Sequence, residues 1–136
     1  MLLPTEIEAR TSVPAIRALV ARKLLKEHRM NQQDIAKALG LTQAAVSNYL
    51  RGRRGAGFRE DELANIDGII SQICTMMVSG AANSKIISKF DEACQAIRHS
   101  RLLCGVHKRL DPNLDVESCH VCDGESVWKP IALNIS

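Results

Sequence analysis

The chain has 136 residues, of which 46% are hydrophobic and 3% aromatic, and its net charge is +3. This composition supports a folded core, but so few aromatic rings argue against a base-stacking surface for single-stranded nucleic acid. No apolar run reaches the roughly 18 residues of a membrane span, and the first residues lack a secretory signal, so we expect a cytoplasmic protein without a membrane partner. Five cysteines in a chain without an export signal favour metal or redox chemistry over disulfide bonds.

The charge is distributed unevenly along the chain. Residues 1–60 contain 11 Lys or Arg and five Asp or Glu, a net charge of +6, whereas residues 61–136 contain seven and ten, a net charge of −3. A basic surface attracts polyanions and accelerates encounter with them. The asymmetry therefore predicts two units with different partners, one in residues 1–60 and the other in residues 61–136, although a solvated surface with chance asymmetry is the alternative.

The first predicted helix begins near Thr11 and continues to about His28. Pro14 falls in its first turn, where a missing N–H does no harm. Apolar side chains then recur at helical spacing, at Ile16, Leu19, Val20 and Leu24.

Two shorter helices separated by a tight turn are predicted next. Asn31 is a suitable cap for a helix over residues 32–39, and Gly40 follows where chains leave a helix with positive φ. Thr42 is a suitable cap for a helix over residues 43–51. Two helices that cross over a short turn need a small residue at the contact, a glycine in the turn and a branched apolar residue in the angle. Those positions are occupied by Ala36, Gly40 and Val46.

Residues 31–54, NQQDIAKALGLTQAAVSNYLRGRR, resemble the helix-turn-helix of the XRE (phage-repressor-like) regulators. Residues 3–24 and 42–55 are also similar to a group of archaeal regulators that carry a cysteine-bearing C-terminal extension. The resemblance implies an all-α protein with a five-helix repressor-type domain in residues 1–60. For residues 61–136 the residue patterns described below predict a helical dimerisation segment and a small Cys-rich metal-binding lobe. The resemblance also implies a homodimer that binds double-stranded operator DNA and controls transcription.

In this docking mode the N-terminal part of the second motif helix enters the major groove. Gln43 and Asn48 can form hydrogen bonds with adenine edges, and Ala44 can contact a thymine methyl group. Ser47 can donate or accept a hydrogen bond. Gln32 begins the first motif helix, where it can reach a phosphate. The alternative is that these residues form an ordinary helix surface.

Three arginines follow the second motif helix and are predicted to contact phosphates. Such contacts supply affinity and make it depend on salt, but they do not provide sequence specificity. They are Arg51, Arg53 and Arg54. The alternative is a solvated loop.

The acidic half begins with an apolar stripe, which we call the 61–79 stripe. Its spacing of three and four residues is that of a short heptad, and it consists of Leu63, Ile66, Ile70, Ile73 and Met77. Because operator half-sites require two recognition helices, we expect the stripe to supply part of a dimer contact; the alternative is a core helix within the protomer. A second amphipathic helix is predicted from Asn83 to about Leu103, with one face formed by Ile87, Phe90, Cys94 and Ile97.

Four cysteines near the C-terminus form the candidate metal site, with 9, 14 and 2 residues between them: Cys94, Cys104, Cys119 and Cys122. The last two form a CxxC knuckle, and residues 104–107 read CGVH, a second possible knuckle, with a turn predicted at residues 111–114. Cys74 lies beside the 61–79 stripe and is interpreted as a small buried hydrophobe. His99 and His120 are interpreted as surface residues.

Two metals fit these spacings. A closed zinc site would use Cys104, His107, Cys119 and Cys122. An iron–sulfur cluster would use Cys94 in place of His107. The family resemblance favours iron–sulfur, although this chain has Asp91 where the related regulators carry a further cysteine. Cys94 can also be a buried free thiol, and His107 can simply be exposed.

The combined prediction is a transcriptional regulator whose cluster senses redox state, oxygen or iron, or the same regulator with a structural zinc. An adaptor that uses the helix-turn-helix only for protein contacts is a further alternative. An enzyme is not expected, since there is no Gly-rich phosphate loop after a strand, no G-x-S-x-G and no HExxH, and no small-molecule substrate is evident.

Overall fold

The computed structural model describes residues 1–53, 55 and 57–123. Within them the chain forms seven α-helices, one 3-10 helix and no strand, which confirms the all-α fold. The helices are α1 Pro4–Arg10, α2 Ser12–Glu27, α3 Gln32–Leu39, α4 Gln43–Leu50, the 3-10 helix Asp61–Ile66, α5 Asp67–Val78, α6 Asn83–His99 and α7 Leu102–Leu110. None of the helices in this part of the chain is long and apolar enough to cross a membrane.

The two motif helices form where their capping residues predict. The Asn31 side chain accepts a hydrogen bond from the Asp34 backbone N–H at 2.8 Å, and that of Thr42 accepts one from the Ala45 N–H at 3.1 Å. Each bond satisfies one of the donors that a helix start leaves free. Gly40 has φ +66°, as expected at the turn. Only the end of α4 differs, at Leu50 rather than at residue 51.

The described part of residues 1–60 contains four α-helices, so the expected five-helix domain within these bounds was wrong. Two elements also differ from the residue-level prediction. Helix α1 was not predicted from periodicity, because it is seven residues long and Ile7 is its one fully buried residue. The single helix predicted from Asn83 to Leu103 is two helices, α6 and α7. The break is at Arg101, which adopts φ +63°.

The predicted face of the second amphipathic helix is also only partly buried. Ile97 is buried together with Ala93, and Phe90 and Cys94 are half-buried, whereas Ile87 on the same face is 66% exposed.

Helix α2 is the centre of the core. It packs against α1, α3, α4, α5 and α6. Its fully buried side chains Ile16, Val20 and Leu24 join one apolar cluster with buried residues on both sides of residue 60. The Lys23 ammonium group adds a polar link from α2 to α5, lying 2.9 Å from the Ser71 hydroxyl and 3.1 Å from the Asp67 carboxylate. The proposed boundary between residues 60 and 61 stays a prediction, but the two sides share this core.

The 61–79 stripe faces inward. Its members Leu63, Ile66, Ile70 and Ile73 are at most 6% exposed and belong to the apolar cluster, and Met77 packs against it. The structure therefore shows the core helix that was the alternative to a dimer seam. A folded protomer cannot offer Leu63, Ile66, Ile70 or Ile73 to a second copy, because its own helices already cover them.

Candidate nucleic-acid interface

The turn between α3 and α4 is built by short backbone hydrogen bonds. The Leu41 N–H donates to the Ala36 carbonyl at 2.9 Å and the Gly40 N–H to the Lys37 carbonyl at 3.3 Å. Ala36 is 6% exposed and Val46 is fully buried, as the roles of small and branched residues at the helix crossing require. The local sequence thus fixes α4 at an angle across α3.

The outward face of α4 carries the predicted base readers. Gln43 and Ala44 are exposed, and Ser47 and Asn48 are half-buried. Within the described residues, the side chains of Gln43, Ser47 and Asn48 make no hydrogen bond. Their donors and acceptors are therefore free for an external partner.

The inner face of α4 is anchored to α2. Val46 and Tyr49 are buried, and the Arg22 guanidinium group donates to the Tyr49 carbonyl at 3.4 Å. Carbonyl groups at a helix end have no partner within the helix, and the Tyr49 carbonyl accepts this bond in addition to one from the Gly52 N–H. The anchoring holds the outward face at a defined orientation to the rest of the protomer.

The chain leaves α4 through a left-handed residue, Gly52, with φ +72°. The Gly52 N–H donates to the Tyr49 carbonyl at 3.2 Å and the Arg53 N–H to the Asn48 carbonyl at 3.0 Å, which is the pattern of a Schellman motif. Arg51 and Arg53 are exposed and have no ion pair within the part of the chain described. Arg54 lies outside the described residues. Gln32 is half-buried at the start of α3.

Comparison with protein families matches residues 22–59 to a model described as helix-turn-helix. The match covers the last six residues of α2, both motif helices and the segment that follows them. Residues 22–59 are a helix-turn-helix domain of the XRE type. Comparisons with curated proteins and with solved structures find no match.

The helix-turn-helix domain implies DNA binding, and its family is non-catalytic, in line with the prediction that the chain is not an enzyme. The roles of the individual residues within it stay predictions.

The candidate metal ligands lie outside this domain. Cys104 and His107 are one turn apart on α7, so the predicted CxxH knuckle is a helix instead. His107 is 8% exposed rather than a surface residue, and its Nε2 atom has no hydrogen-bond partner within the described residues. Cys119 and Cys122 lie in the irregular segment after α7.

The thiols do not form a ligand set within the described residues. Burial raises the pKa of Cys104, and the nearby Cys122 and Cys119 thiols add to that rise. Cys94 and Cys122 line one cavity of about 330 Å³. Within residues 1–123 as described, however, no three His, Cys, Asp or Glu side chains are grouped to hold a metal ion. Four thiols suit an iron–sulfur cluster chemically, but binding one would require the segment that carries Cys119 and Cys122 to move so that the thiols converge.

The burial of two further thiols and two histidines follows the sequence analysis. Cys74 is fully buried, its thiol lies 3.7 Å from the Val20 carbonyl, and burial raises its pKa to about 11, as expected of a core residue. Burial, followed by the charges of Glu8 and Asp91, also raises the pKa of Cys94 to about 11. His99 and His120 are exposed, as predicted.

Arg101 organises the cysteine segment, and the sequence did not indicate this role. Its guanidinium group donates to the Val116 carbonyl at 2.6 Å, to the Cys119 carbonyl at 3.0 Å and to the Asp123 carboxylate at 2.8 Å. The bond from Arg101 and a second from His120 lower the pKa of Asp123. These contacts tie residues 116–123 to the junction of α6 and α7. A lone arginine between two helices gives no local signal of such long-range contacts.

Proposed function

We propose that this protein is a sequence-specific DNA-binding transcriptional regulator that acts as a homodimer. One observation carries the proposal: a matched helix-turn-helix domain presents the outward face of α4 with unbonded polar side chains beside the exposed Arg51 and Arg53. The positive charge of residues 1–60 supports the same partner.

The docking follows from the geometry of the domain. The N-terminal part of α4 enters the major groove, where Gln43 and Asn48 bond base edges and Ala44 contacts a thymine methyl group. Ser47 lies one turn after Gln43 on the same face. Phosphate contacts come from the start of α3 and from the arginines after α4, namely Gln32, Arg51, Arg53 and Arg54.

Gln43→Ala is expected to lower operator affinity about 10- to 100-fold, because a bidentate base contact contributes about 1–3 kcal/mol of discrimination. The operator is first selected from random duplexes with the wild-type protein, and binding is then measured by fluorescence anisotropy against operator and scrambled DNA. Gln72→Ala, an exposed glutamine on α5, is the matched control. Equal operator affinity of the Gln43 variant and the control would favour the adaptor function instead.

Arg53→Ala is expected to weaken binding to operator and scrambled DNA alike. Loss of one phosphate contact reduces the slope of log affinity against log salt by about 1. Affinity measured over a range of salt concentrations tests this, with Lys85→Ala as the control, because Lys85 is an exposed cation on α6, outside the helix-turn-helix domain. An unchanged slope in the Arg53 variant would contradict the phosphate contact.

Dimerisation is proposed because paired half-sites require two recognition helices one DNA turn apart. The 61–79 stripe does not carry this interface. We therefore propose that the dimer interface lies elsewhere on the protomer. Sedimentation equilibrium with and without operator DNA tests the stoichiometry.

We also propose that Cys94, Cys104, Cys119 and Cys122 bind an iron–sulfur cluster whose state alters DNA affinity. Support comes from the electrostatic proximity of the last three thiols and from the cavity shared by Cys94 and Cys122. A structural zinc held by Cys104, His107, Cys119 and Cys122 is the second candidate. It is favoured by the buried, unbonded Nε2 atom of His107.

Protein purified without oxygen is expected to show broad brown absorption and to contain iron and sulfide. Cys94→Ser should remove the iron while His107→Gln retains it, because only the cluster uses the Cys94 thiol. A colourless protein that loses zinc in the His107 variant but not in the Cys94 variant would identify the zinc site. Absence of both metals would contradict both proposals, and equal DNA affinity with and without the cluster would contradict sensing.

A further inference from the structure

An open groove of about 720 Å³ lies between the end of α3, the end of α5 and the first half of α6. Its volume falls within the roughly 300–1,000 Å³ typical of small-molecule sites. The groove reaches residues 37–40, which include the glycine of the helix-turn-helix. It is separate from the outward face of α4.

The floor of the groove is apolar. Leu39, Met77, Ile86 and Phe90 line it, and all four are half-buried. Ile87, 66% exposed, continues the apolar surface at the rim. Contiguous apolar surface of this kind is a common feature of ligand sites, because removing it from water stabilises the bound state.

The charges at the groove are predominantly positive. Arg17 is half-buried and Lys37 is exposed, and neither has a hydrogen bond or an ion pair among the residues that the structure describes. Asp91 also lines the groove, and its carboxylate accepts a hydrogen bond from the Gln95 side chain at 2.7 Å. The neighbouring Arg98, by contrast, is paired with Glu8 at 3.5 Å. A half-buried guanidinium group without an acceptor favours a carboxylate ligand.

We propose that this groove binds a small aliphatic monocarboxylate, with its hydrocarbon chain on the floor formed by Leu39, Met77, Ile86 and Phe90 and its carboxylate on Arg17. Lys37 adds long-range attraction for the anion. The ligand lies against the end of α3 and against α6, so it contacts both the helix-turn-helix domain and the acidic half of the chain. Binding does not depend on the proposed DNA-binding function.

The test is a titration of the full chain, labelled with ¹³C at the methionine methyl groups, with octanoate. The Met77 methyl signal is expected to shift with saturation, while the Met30 signal, which lies outside the groove, stays in place. 1-Octanol has the same hydrocarbon chain without the charge and is expected to bind about tenfold more weakly. Arg17→Gln is expected to remove that difference by weakening octanoate alone, and Arg10→Gln, at an exposed arginine of α1, is expected to preserve it.

Three results would overturn the proposal: no Met77 shift with octanoate, equal binding of octanoate and octanol to the wild type, or an unchanged preference in Arg17→Gln. A Met77 shift that depends on protein concentration alone would assign the groove to a second copy. Octanol binding by the Arg17 variant shows that the groove is still folded. No DNA enters the titration, so its failure is distinguishable from failure of the DNA-binding proposal.

Discussion

Ile73→Ala is expected to lower the free energy of unfolding by about 2–5 kcal/mol, the usual cost of truncating a buried Ile or Leu to Ala. The Ile73 side chain has no exposed area and lies in the apolar cluster with Val20 and Leu24 of α2. Truncation leaves a cavity that helices anchored on several sides cannot easily close. Urea unfolding followed by circular dichroism measures the loss.

Val78→Ala is the matched control on the same helix, because Val78 is 54% exposed. Its cost is expected to stay within about 0.5 kcal/mol. The folded Ile73 variant should keep the oligomeric state of the wild type, measured by sedimentation at concentrations where the protein is fully folded. A variant with unchanged protomer stability that dissociates more readily would restore the stripe as a dimer seam.

The ambiguity of the 61–79 stripe has a physical origin. Apolar residues at steps of three and four indicate that one side of a helix is covered, but they do not identify the covering surface. A helix of the same protomer and a helix of a second copy require the same pattern. Here α2 and α6 supply the cover, and those contacts join residues far apart in the sequence.

The helix-turn-helix was predictable because its determinants are local. Asn31 and Thr42 act on donors three residues away, and Gly40 adopts the left-handed conformation within the turn itself. The outward positions of Ala44 and Asn48 follow from helical periodicity once the buried position of Val46 is known, because each lies two residues, about 200°, away from it around the helix. The sequence therefore predicts both the elements and the exposed face of this domain.

The cysteine region was predictable only in part, because long-range contacts determine it. The break between α6 and α7 occurs at Arg101, a non-glycine residue at φ +63°. Such a conformation carries an energetic cost, and here the bonds from Arg101 to residues 116–123 offset it. The same bonds position Cys119 relative to Cys104, so spacing alone could not show how the thiols approach one another.

Gly55→Ala is expected to lower the free energy of unfolding by about 2–5 kcal/mol, with a backbone and a steric cause. Gly55 has φ +79°, where an L-residue costs about 1–2 kcal/mol. A methyl group there would also lie 2.7 Å from the Pro14 carbonyl oxygen and 2.8 Å from the Ala18 Cβ atom. Overpacking of this kind costs about 1–3 kcal/mol. Since both partners belong to the first half of α2, the clash cannot be relieved by rotating a flexible side chain.

Gly52→Ala separates the two causes, because Gly52 has φ +72° but no atom within 4 Å of the added methyl group. Its expected cost is therefore the backbone part alone, about 1–2 kcal/mol. Urea unfolding of both variants measures the difference, and equal losses would contradict the close packing of Gly55 on α2. The comparison also bears on DNA binding, since Gly52 directs the chain that carries Arg53 whereas Gly55 holds that chain against α2. When both variants are compared under conditions in which they are fully folded, they should retain the proposed Gln43 base contact, and any loss of affinity should appear equally on operator and scrambled DNA.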